Sequence, residues 1–127
     1  MQEPHLYEYA VIRVVPKIER EEFINVGLIL FCKRQQYIRM EYQINEAKLQ
    51  LFDCEIELCD LISYLKSFQQ TAFGNKKNDR IGQLETPERF RWLTAVRSSV
   101  LQTSRPHAGL TDDLEATFEK LFAELVL

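Results

Sequence analysis

Between Glu88 and Thr111 the chain reads ERFRWLTAVRSSVLQTSRPHAGLT, and side chains suited to chemistry gather there. Arg91 and Arg97 offer planar guanidinium forks that match a carboxylate or a phosphate. Ser98, Ser99, Gln102 and Thr111 add directed hydrogen-bonding groups. Trp92 offers a flat apolar wall. His107 sits in a Pro-His-x-Gly run, and an unperturbed imidazole titrates near pH ~6.5, so it can pass a proton either way. These eight residues form the candidate ligand-binding or partner-binding surface, with His107 the candidate catalytic group. No carboxylate in the segment is clearly placed to orient His107, so a catalytic constellation lacks a member. The same residues also have a plainer use. Serine and threonine can face water on an edge strand, Phe90 and Trp92 can pin a helix to a sheet, and Arg91 and Arg97 can pair with Glu85 or Glu88.

A second polar stretch, Arg20 to Gly27, opens an otherwise apolar strand. Asn25 there needs a hydrogen-bond partner once buried. The expected partners are the backbone of a neighbouring bulge or the late polar strand. Gly27 predicts a bulge or a close approach by another group.

The elements that must position these residues follow from periodicity. Tyr7 to Val15 is a strand with Ala10, Ile12 and Val14 on one face and Tyr7, Tyr9, Val11 and Val15 on the other. Both faces are mostly apolar, which places it inside a sheet. Phe23 to Cys32 is a second strand, apolar on both faces. Tyr37 to Ile44 is a third, alternating Ile38, Met40, Tyr42 and Ile44 with Arg39, Glu41 and Gln43. Their short connections predict an antiparallel meander. Glu46 to Phe52 is a short helix. Glu55 to Thr71 is a longer one, with Leu58, Leu61, Ile62, Leu65 and Phe68 at helical spacing. Gly74 to Gly82 is a polar loop. Thr86 and Pro87 predict the start of a helix that runs to about Ala95. Arg97 to Ser104 is a late strand, and Arg105 to Thr111 a turn containing Pro106 and Gly109. Asp112 and Glu115 predict a capping box for a closing helix carrying Leu114, Phe118, Leu121, Phe122 and Leu125 inward. The expected fold is one α+β domain over residues 1–127. Its antiparallel sheet, the N-terminal meander plus one late strand, is packed on one face by about three helices.

The 127 residues fit one domain with a proper core. A net charge of −3 argues against a general nucleic-acid coat protein. The charge is uneven, however. Residues 75–105 carry Lys76, Lys77, Arg80, Arg89, Arg91, Arg97 and Arg105 against Asp79, Glu85 and Glu88, a local surplus compatible with an anionic ligand. Cys32, Cys54 and Cys59 are odd in number and lack zinc-ligand spacing, so structural thiols in a reducing, cytoplasmic setting are expected. MQEPHLYEY is not a signal pattern, and the longest apolar run is too short to cross a bilayer. The phosphate-loop, dinucleotide, zinc-protease and nucleophile-elbow motifs do not occur. Neither a metal nor a cofactor is expected.

The two stretches YEYAVIRVVPKIEREEFINVGLILFC and ERFRWLTAVRSSVLQTSRPHAGLTDD, in that order, resemble an uncharacterised bacterial family, the domain of unknown function family numbered three thousand and thirty-seven. The likeness covers nearly the whole chain. The family pattern falls on Glu21, Phe23, Asn25, Val26 and Gly27, then on Arg89, Phe90, Arg91, Trp92, Arg97, Ser98, Gln102, His107, Gly109, Leu110 and Thr111. Val96 stands where the usual form has proline, which fixes the helix-to-strand junction less sharply. The resemblance brings no activity or cofactor. It implies a partner role beside a HipA-like kinase-fold protein. A non-enzymatic protein docking on such a partner through Arg91–Thr111 is therefore the first reading. A small enzyme or binding domain for a phosphate-bearing molecule is the second, with Arg91 and Arg97 as the clamp. Nucleic-acid binding ranks third, disfavoured by the overall acidity.

Overall fold

The computed structural model describes residues 4–52, 56–74, 84–95 and 100–127. The fold is α+β, built on a five-stranded antiparallel sheet. Strands β1 (His5–Val14), β2 (Ile24–Cys32) and β3 (Tyr37–Tyr42) form the expected meander, with β1 paired to β2 and β2 to β3. The far side of β1 is shared. Strand β4 (Leu101–Thr103) pairs with its residues 12–14, and β5 (His107–Thr111) with its residues 5–9. β1 is thus interior, as its two apolar faces require, and β3 lies at one end of the strand order β3-β2-β1-β4.

Three helices cover one face: α1 (Glu46–Leu51), α2 (Leu58–Phe73) and α3 (Thr86–Leu93). Leu49, Leu61, Leu65, Phe68, Ala72, Phe90 and Leu93 pack there on Ala10, Ile12, Val14, Ile24, Val26, Ile29, Phe31 and Met40. The Phe90 and Phe31 rings stack with centroids 4.9 Å apart, so Phe90 is the pin of α3. The fourth helix, α4 (Leu114–Leu125), covers the opposite face. Leu114, Phe118, Leu121, Phe122 and Leu125 meet Leu28, Leu30, Cys32, Tyr7, Tyr9 and Tyr37. The sheet is therefore sandwiched between three helices and one.

Gly27 marks the expected bulge. The register of β1 against β2 shifts between Ile12 and Arg13, where Val26 is the extra residue. The shift lets Ile24 and Val26 share a face with Ile29 and Phe31. The close approach is also real, since a Cβ on Gly27 would lie 2.9 Å from the Glu41 carbonyl oxygen.

The segment expected to be a turn, Arg105 to Thr111, proves to be mostly strand. Pro106 has no N–H for the ladder, so the strand breaks there but does not reverse. Ser104 bridges the break. Its N–H donates to the Val11 carbonyl at 2.8 Å, and its hydroxyl accepts from the Val11 N–H at 2.9 Å. Beyond the proline the chain rejoins β1. Gly109 lies opposite Tyr7, and a Cβ there would overlap the tyrosine ring. Glycine is thus a seat for the ring rather than a turn residue.

Two caps also differ from expectation. Asp113, not Asp112, caps α4, accepting from the Ala116 N–H at 3.0 Å, and the Glu115 side chain turns to β3 instead. Glu85 rather than Thr86 precedes the first turn of α3, with Pro87 inside that turn. No helix among the described residues is long and apolar enough to cross a membrane.

Candidate functional site

The predicted site residues separate according to strand alternation. Tyr9 pairs with His107, and their rings lie 5.4 Å apart on the face that α4 covers. Thr111 is on the same side. Its hydroxyl accepts from the Asp113 N–H at 3.1 Å and bonds the Thr117 hydroxyl at 2.6 Å, so it ties β5 to α4. Gln102 pairs with Arg13, which also points to the α4 face. Successive side chains alternate, so Glu8, next to Tyr9, faces the other way. Arg91 of α3 reaches Glu8 at 4.0 Å across that opposite face, and not Glu85 or Glu88. Arg91 and His107 therefore stand on opposite sides of one sheet and are not brought together. Trp92 is 43% exposed on α3, so it does not share the burial of Phe90. Arg97, Ser98 and Ser99 lie outside the described residues, as do Lys76, Lys77, Arg80 and Cys54.

Other motif residues have structural uses. Arg89 donates to the Leu84 carbonyl at 2.6 Å and to the Thr86 hydroxyl at 3.3 Å, bracing the start of α3. Its guanidinium also packs against Gly74, whose φ of 90° suits glycine. Among the described residues Asn25 bonds neither of its expected partners. Its amide donates to the Leu125 carbonyl at 3.1 Å, satisfying one of the open carbonyls at the end of α4.

What sequence reasoning missed is the contribution of β1. On the face shared with Arg91, Leu6 pairs with Leu110 and Glu8 with Ala108. Leu6 is 61% exposed and Leu110 67%, and Ala108 is exposed as well. This end of the sheet runs clear of the helices that bury Ala10, Ile12 and Val14 further along. The result is an apolar patch edged by the Arg91–Glu8 ion pair. Leu6 precedes the alternating run that drew attention, so only pairing with β5 reveals it.

A second polar cluster joins β3 to α4. Arg39 pairs with Glu115 at 2.7 Å and with Glu119 at 2.8 Å, and its guanidinium carbon lies 4.2 Å from the Phe118 ring centre. The Tyr37 hydroxyl donates to Glu115 at 2.7 Å. Burial, followed by that hydrogen bond to a carboxylate, holds the Tyr37 phenol well above its usual pKa. The cluster borders a cleft of about 850 Å³ at the edge of the sheet, between β3 and the last turn of α2. Arg39 is fully paired within the chain, and the cluster serves to seat α4.

Among the described residues, Glu57, Cys59 and Asp60 are close enough to share an ion, but all three are exposed at the start of α2. Cys59 is thus a surface thiol, whereas Cys32 is buried in the core as a structural one.

No curated protein and no solved structure matches the chain. The family model described as a protein of unknown function (DUF3037) matches residues 9–126, nearly the full length, and the chain belongs to that family.

Proposed function

We propose that the chain is a non-enzymatic binding protein that docks on a larger protein through the face of β1 and β5 turned away from α4, at the end of the sheet that α1, α2 and α3 leave open. The supporting observation is the Leu6–Leu110 pair, two largely exposed leucines side by side on adjacent strands. Fully burying a leucine is worth about 1.5–3 kcal/mol, so covering the exposed two-thirds of each returns about 1–2 kcal/mol. Ala108 extends the patch, and Arg91 and Glu8 supply the polar surround of a docking site. Among the described residues β5 pairs with β1 alone, which offers its outer edge to a partner strand. Arg91 and His107 stand on opposite faces of the sheet, which favours this reading over an anion-processing enzyme that uses both.

The resemblance makes a HipA-like kinase-fold protein the first partner to try. The test is Leu110→Glu, which places a charge in the patch at a largely exposed position. Binding to that purified partner should weaken at least tenfold while the melting temperature is unchanged.

A further inference from the structure

β1 holds an arginine within an apolar run, AVIRVV, and among the described residues it has no counter-charge. Arg13 points to the face opposite Ala10, Ile12 and Val14. It is the centre of a polar row across three strands, with Asn25 of β2 on one side and Gln102 of β4 on the other. The row begins where α4 ends, because the Leu125 carbonyl accepts from Asn25. The guanidinium carbon of Arg13 lies 4.3 Å from the centre of the Phe23 ring, and Phe23 is 48% exposed.

Among the described residues no carboxylate pairs with Arg13, and its Nε–H is buried without a hydrogen-bond partner. A buried charged donor left unmatched is costly. Leucine or methionine would fill an apolar strand position without that cost. Every feature of the row suits an incoming anion. The fork has an unpartnered Nε–H, the ring beneath holds its plane by cation–π attraction, and the Gln102 side chain lies beside it. The exposed ring marks the way in from solvent.

We infer that Arg13, with Phe23 beneath it and Gln102 beside it, binds an oxyanion, the carboxylate or phosphate group of a small ligand. The site is separate from the docking patch. Leu6 is seven residues away along β1, roughly 23 Å, and on the other face.

The test is an NMR titration that follows the Arg13 Nε–Hε signal, identified by its loss in Arg13→Lys. Inorganic phosphate and acetate are added in separate arms at constant ionic strength, with chloride as the control. A saturable shift with either anion and none with chloride is expected, and the arm that saturates first names the oxyanion. In Arg13→Met the affinity should fall about tenfold or more, as for a hydrogen bond to a charged group. The melting temperature of that variant without ligand should not fall, since an unmatched donor has been removed. If neither anion moves the signal beyond the chloride control, the inference is wrong. It is equally wrong if Arg13→Met melts as early as a core truncation, because Arg13 would then serve the fold.

Discussion

Gly27→Ala tests the packing on which the sheet geometry rests. Gly27 is buried between β1 and β3 at the bulge. The new methyl would meet the Glu41 carbonyl oxygen at 2.9 Å, the Tyr42 Cβ at 3.2 Å and the Ile12 Cβ at 3.4 Å. One of these atoms is backbone and two are Cβ atoms, so none moves unless its strand moves. The strands would have to part by a few tenths of an ångström, along a ladder that holds Asn25, Arg13 and Glu8 in register. Overpacking of this kind costs about 1–3 kcal/mol. Glycine at this position does not need a left-handed backbone, so alanine recovers about 0.5–1 kcal/mol of chain entropy. The net loss should be about 1–2 kcal/mol, or roughly 3–10 °C in the melting temperature of a domain this size. Urea and thermal unfolding measure it directly. Gly109→Ala is the internal control, because its methyl meets the far end of the Tyr7 side chain, which can swing aside, so its loss should be smaller. A Gly27→Ala protein as stable as the parent, or a larger loss at Gly109, would refute the reasoning.

Tyr37 makes stability depend on alkaline pH. Its phenol holds a proton more tightly in the folded chain than at its ordinary pKa of about 10, so its contribution is complete below pH ~10 and is lost as pH rises through the elevated value. Denaturation profiles above pH ~10 should be less steep in Tyr37→Phe than in the parent, and identical slopes would argue against the Glu115 hydrogen bond. Asn25→Ala removes the donor to the Leu125 carbonyl, and the expected loss is about 1 kcal/mol. Hydrogen exchange should show that loss as fraying of the last turn of α4, and protection unchanged there would contradict the tie.

Much of the fold was legible because its signals are periodic. The alternation in Tyr7–Val15 and Tyr37–Ile44 and the helical spacing of Leu61, Leu65 and Phe68 each name a face, and those faces are buried. The misreadings occurred where a tertiary partner overrode a local signal. Pro106 and Gly109 look like a turn, but one interrupts a ladder that Ser104 mends and the other makes room for Tyr7. Glu115 fits a capping box, yet Arg39 and Tyr37 draw it across to β3. The candidate site was legible as a segment but not as a surface. Alternation sends Arg91 and His107 to opposite faces, and the patch beside Arg91 draws half its residues from β1, some hundred positions earlier in the chain. Arg13 carried a signal in plain view, a charge inside an apolar strand.

The central claim is most directly tested by isothermal titration of a purified HipA-like kinase-fold partner with the parent chain and with Leu110→Glu, after size-exclusion chromatography has established whether either chain self-associates. The account predicts that the parent chain is a monomer that binds the partner. It also predicts that Leu110→Glu melts at the same temperature and binds at least tenfold more weakly, because a charge replaces about 1–2 kcal/mol of apolar burial. No binding by the parent, equal binding by the variant, or a dimer that Leu110→Glu dissolves would contradict it.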